Sequence, residues 1–393
     1  MSLKRELERL RAPDEAGAAE RAWTVVQSAY GDRASPGRRT SRARMAIPAL
    51  AVLAGVLALA LSPAGATVRR WIGHALGIPH PAAALFSLPA PGRLLVAGPG
   101  GTWTIAADGS TRRLGAWRQA SWSPHGRFLA VVGGDHLAAV DPRGTPRWTL
   151  ARPGVSNPRW YPPTGFRIAY LSRHDLRVVA GDGTGDHLLA ADAAPAASAW
   201  RPGHPYQLAY VDGAGSVVVR DADSGRVSWT VRPSERPREL AWSSGGDRLL
   251  VVARTHARVY DRNGRPMATI GTPPDTPILD GSLSPDGRTL ALVRGGAAED
   301  VVLASLVRGR PRLRLRLRRV LSGSGLQQLA WSPDARWLLV SWPPADQWVF
   351  VRVSGRPRIA AVSRIARQFT FGSAGRGSPR LEGWCCTAQG APG

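Results

Sequence analysis

From residue 90 onward, short apolar runs alternate with polar turns, and one unit of this alternation recurs. In order it reads SWSPHGRFLAVV (121–132), RWYPPTGFRIAYL (159–171), AWRPGHPYQLAYV (199–211), AWSSGGDRLLVV (241–252), SLSPDGRTLALV (282–293) and AWSPDARWLLVSW (330–342). Each unit opens with a short strand ending in a large apolar residue: Trp122, Trp160, Trp200, Trp242, Leu283 or Trp331. A tight turn follows, in which proline pre-sets φ and glycine supplies the left-handed corner. Next comes a strongly apolar strand, then two more strands joined by turns such as Asp141-Pro142-Arg143-Gly144. The anchors are separated by 38, 40, 42, 41 and 48 residues. Four strands repeating at about 40 residues predict the blades of a β-propeller.

Six anchors define six blades, with strands left over at both ends. Arg93–Ala97, Thr102–Ala107 and Thr111–Gly115 read as the last three strands of a blade without its first. Arg380-Leu381-Glu382-Gly383-Trp384 reads as a first strand ending in tryptophan. Joining them completes a seventh blade and removes exposed strand edges. The predicted fold is therefore all-β, a seven-bladed propeller, with six and eight blades as alternatives. The seven anchors, Trp384 included, are expected to wedge between neighbouring blades, where a flat aromatic fills space at little entropic cost.

Met45 to Ala66 differs from everything after it: 22 residues without a charge. About 20 apolar residues span a bilayer core, so this segment predicts one transmembrane helix. Arg33, Arg38, Arg39, Arg42 and Arg44 precede it and only Arg69 and Arg70 follow closely. By the positive-inside rule the N-terminus is then cytoplasmic and the remainder extracytoplasmic. The competing reading is a signal peptide cut after Ala66. The expected organisation is a cytoplasmic segment (1–44), a transmembrane helix (45–66), a juxtamembrane linker (67–89), the propeller (90–386) and a short tail (387–393).

The Trp-Ser-Pro-Asp-Gly turns resemble those of TolB-like and WD-like propeller repeats, over roughly residues 90–386. This resemblance implies the fold and leaves function open. TolB's separate α/β domain has no counterpart here, and no G-x-S-x-G nucleophile elbow accompanies the repeats. The stretch from Asp221 to Trp229, DADSGRVSW, is similar to the strand turn of PQQ-type quinoproteins. That family also carries a vicinal cysteine pair, as Cys385 and Cys386 are. The motif is clear only once, however, and the bland reading is a β-turn with a packing tryptophan.

Composition adds a basic balance, 52 Lys and Arg against 28 Asp and Glu, a net +24. Only Lys4 is lysine. Such a skew accompanies GC-rich coding and points to a bacterial source, so part of the excess reflects codon usage. A basic surface still favours anionic partners. The sharpest feature is the alternation of Arg308, Arg310, Arg312, Arg314, Arg316 and Arg318 with glycine, proline and leucines. It has strand period. Leu313, Leu315 and Leu317 should face a neighbouring blade and the arginines solvent. Arg312, Arg314, Arg316 and Arg318 are candidate anion-binding residues; the alternative is charge that blunts an edge strand. Cys385 and Cys386, adjacent on a strand, are expected to point to opposite faces. Eight scattered histidines fit no metal-ligand spacing.

These features predict a membrane-tethered extracytoplasmic binding or scaffolding module without catalytic, cofactor or metal residues. Its partner would be a protein or a cell-envelope polymer, not nucleic acid, with the ligand on one propeller face. Two alternatives remain. One is a transmembrane signalling protein whose residues 1–44 hold a cytoplasmic regulator, as membrane-anchored anti-sigma factors do, although the His and paired Cys of the zinc-binding class are missing from that segment. The other is a quinoprotein enzyme.

Overall fold

In a computed structural model, which describes residues 87–162, 164–203, 206–307, 314–369 and 378–386, each repeat unit folds into a four-stranded antiparallel sheet. There are seven such sheets among the described residues. Blade 1 contains β1 (Arg93–Gly98), β2 (Gly101–Ile105) and β3 (Thr111–Gly115). Blade 2 is β4 to β7 (Gln119–Trp122, Leu129–Gly133, His136–Val140, Pro146–Ala151) and blade 3 is β8 to β11 (Val155–Trp160, Arg167–Ser172, Asp175–Ala180, His187–Ala190). Blade 4 is β12 to β15 (Ala199–Trp200, Gln207–Val211, Val217–Asp221, Val227–Val231) and blade 5 is β16 to β19 (Glu239–Trp242, Arg248–Val252, His256–Asp261, Pro266–Gly271). Blade 6 is β20 to β23 (Ile278–Leu283, Thr289–Arg294, Glu299–Val307, Arg314–Gly323) and blade 7 is β24 to β27 (Leu329–Trp331, Trp337–Trp342, Gln347–Arg352, Arg358–Ser363). The last strand, β28 (Arg380–Cys385), returns to pair with β1 as the innermost strand of blade 1. Seven blades is therefore the number, and the two chain ends share one of them.

The transmembrane helix expected at 45–66, the cytoplasmic segment 1–44, most of the linker, the tail 387–393 and Arg312 lie outside the described residues. Among the described residues no helix is long and apolar enough to cross a membrane.

The second strands read as unbroken apolar runs because each is covered on both faces by neighbouring blades. Leu129, Ala130 and Val131 of β5, and Leu290, Ala291 and Leu292 of β21, have no exposed surface. Outer strands such as β7 are largely exposed. The seven anchors end the innermost strands. Trp160, Trp200, Leu283, Trp331 and Trp384 are buried, and Trp122 and Trp242 partly so. The indole N–H of Trp200 donates to the Arg159 carbonyl at 2.9 Å, and that of Trp331 to the Ser282 carbonyl at 3.1 Å. Each thus reaches the inner strand of the blade before it.

The turn after the anchor is held by its serine. Ser284 Oγ donates to Asp286 at 2.6 Å and accepts from the Thr289 amide at 2.9 Å. Ser332 repeats both contacts with Asp334 and the Trp337 amide. The fourth turn residue needs positive φ, which Gly126 (63°) and Gly287 (66°) adopt freely, whereas Ala335 is forced to 58°. An L-residue there costs roughly 1–2 kcal/mol. Ala335→Gly should therefore raise stability by about 1 kcal/mol in a denaturant titration; an unchanged or lower midpoint would contradict this.

Arginines tie neighbouring blades together at the same turns. Arg93 donates to the Gly126 carbonyl at 2.7 Å and stands 4.8 Å over the Trp122 ring. Arg201 donates to the Gly246 carbonyl at 2.7 Å and stands over Trp242, and Arg248 donates to the Gly287 carbonyl. Part of the basic composition is thus structural.

Two expectations are corrected. Cys385 and Cys386 do not diverge: they form a disulfide. Cys386 lies past the end of β28 with φ 56°, and this left-handed turn breaks the strand alternation and folds its sulfur back. The pair packs against the first turn of blade 2, with Cys386 Sγ 3.5 Å from the Pro124 carbonyl oxygen. Leu317 does not face a blade, being 54% exposed, although Leu315 two residues before it on the same face packs inward. The quinoprotein-like turn is an exposed β-turn, in which Asp221 accepts from the Ser224 amide and hydroxyl, both at 2.7 Å. Its Trp229 donates across to the Arg262 carbonyl of blade 5 at 2.9 Å.

Candidate functional site: a polar central channel

The innermost strands enclose a cavity of about 350 Å³. Three residues before each of the first six anchors, the chain places Gln119, Asn157, Ala197, Glu239, Asp280 and Gln328. All six line the cavity. In β28 the register shifts against β1, and Glu382, two residues before Trp384, takes the corresponding place.

These polar side chains bond the next blade. Gln119 Oε1 accepts the Asn157 amide at 2.6 Å, and Asn157 Nδ2 donates to the Pro195 carbonyl at 3.4 Å. Glu239 accepts the Gly281 amide at 3.2 Å, Asp280 the Leu329 amide at 2.6 Å, and Gln328 the Leu381 amide at 3.0 Å. Glu382 accepts the Ala120 amide. Only at Ala197, between blades 4 and 5, does this bonding have no side chain to carry it. The ring therefore has a structural explanation, since inner-strand amides that no sheet satisfies need acceptors.

Burial pushes the Glu239, Glu382 and Asp280 carboxyls above the usual range, Asp280 most strongly because the Glu239 charge adds to it. Glu239 and Asp280 interact directly between blades 5 and 6, so their protonation is coupled. A carboxyl whose folded pKa is raised makes the native state bind more protons than the unfolded chain. Stability is then intact below the ordinary carboxylate pKa and falls as pH rises toward the folded value. Asp280→Asn keeps an acceptor for the Leu329 amide and removes the charge. Thermal melts from pH 4 to pH 8 should show the variant gaining on wild type as pH rises, by about 1–2 kcal/mol at pH 8. A parallel pair of profiles would refute the raised Asp280 pKa.

Arg159 is not explained by the ring. It stands immediately before Trp160, where the other blades have Ser121, Ala199, Ala241, Ser282, Ala330 and Gly383. The one hydrogen bond that its side chain makes among the described residues goes to the Pro158 carbonyl at 3.1 Å, so most of its guanidinium N–H donors have no acceptor there. Burial lowers its pKa below the ordinary arginine value, and the Glu382 charge offsets this only in part. The strand carrying it is bulged, and Asn157 within the bulge has φ 53°. A bulge and a strained residue beside an unmatched cation are features of built sites. Arg380, by contrast, is paired with Glu382 and bonds the Arg118 carbonyl. Cations thus stand in blades 1 and 3, and the carboxyl pair in blades 5 and 6.

The candidate anion-binding residues named from sequence lie elsewhere. Arg314, Arg316 and Arg318 are exposed on β23, the outermost strand of blade 6, away from the channel. Sequence reading missed the channel, although polar residues three before each anchor, and one arginine among small residues, were its signal. Among the described residues no group of three His, Cys, Asp or Glu side chains is placed to hold a metal ion.

No protein-family profile and no curated protein sequence matches the chain. Solved structures share its fold. The β-propeller domain of Myceliophteria thermophila Cps50 (Swd1) superposes with a TM-score of 0.52 at 15% identity, covering 65% of this chain and 95% of that one. Kluyveromyces lactis Hsv2 gives 0.53 at 13% identity, covering 69% and 95%. A Bacteroides fragilis protein described as a putative 6-phosphogluconolactonase gives 0.52 at 14% identity, covering 70% and 96%. The chain is a seven-bladed β-propeller with structural neighbours of WD40 type; at these identities the likeness is one of fold alone.

Proposed function

We propose that this protein is a membrane-tethered, extracytoplasmic binding module of TolB-like type, without catalysis of its own, whose channel receives an anionic group of its ligand at Arg159. The observation that carries this reading is the single break in the repeat. Six blades keep a small residue before the anchor, and one sets a half-buried arginine with donors to spare in the channel wall. A partly desolvated charge without a counter-ion is held at a cost that an anionic partner would offset. A cavity of about 350 Å³ is within the range of small-molecule sites. The uncharged 22-residue segment and its arginine flank support the tether.

Arg159→Ser, the residue found in blades 2 and 6, tests this. Without ligand the variant should be more stable than wild type by about 1–2 kcal/mol, read by thermal melting. Citrate and inorganic phosphate at millimolar concentration should stabilise wild type and not the variant. A variant that melts lower, with both proteins responding equally to the anions, would make Arg159 a packing residue and defeat the proposal. The signalling reading adds a partner for residues 1–44 and is distinguished by whether a cytoplasmic protein co-purifies with that segment.

A further inference from the structure

The innermost strand of each sheet is paired along one edge only, and its other edge faces the channel. In an antiparallel pair, successive amides point alternately at the partner strand and away from it. The Ser243 amide donates to the Arg248 carbonyl, and the register sets Ala241 opposite Leu250 and Glu239 opposite Val252. The amide of Leu240, two residues before the anchor Trp242, therefore points away from β17 toward the channel, and Leu240 lines the cavity. The same phase holds in blades 2, 6 and 7, where the equivalent amides belong to Ala120, Gly281 and Leu329. Each of these three is taken by a carboxyl group from the blade before it: Glu382, Glu239 and Asp280 in turn.

Leu240 differs. The preceding blade places Ala197 where blade 5 has Glu239 and blade 6 has Asp280. Among the described residues nothing accepts the Leu240 amide, and a donor left unmatched at a partly desolvated edge is costly. Ala197 is half-buried and lines the cavity, so the space that a longer side chain would fill opens onto the channel. Blade 4 stands between the blade that carries Leu240 and the blade that carries Arg159. It is held directly against the latter, since the Trp200 indole donates to the Arg159 carbonyl at 2.9 Å. One free amide on one side of Ala197 and a guanidinium with free donors on the other both need oxygen. Asp280 shows how the ring meets such a need: one carboxyl oxygen accepts the Gly281 amide at 3.0 Å and the other accepts the Leu329 amide of the next blade at 2.6 Å.

We infer that the anionic group received in the channel is a carboxylate that completes the ring at Ala197, one oxygen accepting the Leu240 amide and the other facing Arg159. This rests on the channel reading above and narrows its ligand to carboxylic acids. A guanidinium matches phosphate as well as carboxylate, but the side-chain junctions of this ring use planar carboxyl and carboxamide oxygens.

The test follows thermal melts of the full chain against succinate and inorganic phosphate, which carry similar charge near neutral pH. Wild type should respond to succinate at the lower concentration. Ala197→Gln supplies the acceptor from within the chain and leaves Arg159 in place. Without ligand it should melt about 2–4 °C higher than wild type, and it should need about 10-fold more succinate for half its response. A second readout uses no substitution: hydrogen exchange at Leu240 in wild type, followed by mass spectrometry, should slow when succinate is added. Equal responses to the two anions, an unchanged succinate dependence in Ala197→Gln, or unchanged exchange at Leu240 would each overturn the inference. Its failure is separable from that of the Arg159 reading. If Arg159→Ser abolishes the response while succinate leaves Leu240 exchange unchanged, the Arg159 reading stands and the carboxylate bridge falls. If succinate slows Leu240 exchange in Arg159→Ser as much as in wild type, the Arg159 reading falls instead.

Discussion

A chain ending at Gly377 should not fold to a stable monomer. Such a truncation removes β28, and with it the innermost strand of blade 1. Leu94, Leu95 and Val96 of β1, all without exposed surface in the intact protein, would line an open sheet edge. The junctions from Gln328 to Leu381 and from Glu382 to Ala120 would go with it. Circular dichroism and gel filtration should show loss of the cooperative melt and formation of aggregates. The milder Trp384→Ala removes the anchor that packs on Phe350 at 5.8 Å between ring centres; its cost should be about 3–5 kcal/mol. A truncated chain that stays monomeric and melts like wild type would show that the ring does not need its closure.

The second large effect is expected at Asp186. Its carboxylate, 6% exposed, accepts from Arg152 Nε at 2.9 Å, from Arg177 Nη2 at 2.8 Å and from the Tyr170 hydroxyl at 2.6 Å. Arg152 follows the last strand of blade 2, whereas the other three belong to blade 3, so this clamp joins two blades. Burial alone would raise the Asp186 pKa, but the three donors outweigh it and hold it below the usual value. Tyr170 is pushed up to about 12, by burial first and then by the carboxylate, and so remains a donor at any ordinary pH. Asp186→Ala would leave two guanidinium groups and a phenol without their acceptor, a loss of about 3–5 kcal/mol. The sign of the pH effect follows from the lowered pKa. Stability from Asp186 is complete above the unfolded value, about 3.9, and is lost as pH falls through the folded one. The wild type should therefore lose more stability than Asp186→Asn on acidification below pH 4. Equal acid profiles and a loss under 1 kcal/mol would mean that the clamp is replaceable by water.

The repeat was legible in the sequence because blade packing imposes it residue by residue. A large apolar anchor at each junction, tryptophan at all but Leu283, a turn that needs proline and glycine, and a doubly covered strand all leave local marks. The closure was legible for the same reason, since its two halves are ordinary strands lacking partners. What stayed hidden depends on contacts across the ring. Asp186 meets Arg152 from another blade, and the alternation of Leu and Arg on β23 sets the leucines on one face without telling which of them a neighbour covers: Leu315 packs inward and Leu317 does not. The cysteines were misread because strand alternation was extended one residue too far, to Cys386, whose φ is positive. Arg159 was in plain view as the one large residue in a column of Ser, Ala and Gly, a column that appears only once the anchors are aligned.

Protease accessibility in intact cells, with a tag at each end of the full chain, tests the central claim of an extracytoplasmic propeller on a membrane tether. The account predicts that external protease removes the C-terminal tag while the N-terminal tag stays protected and membrane-bound. A protected C-terminal tag would contradict it, placing the propeller, its channel and the exposed arginines of β23 on the cytoplasmic side.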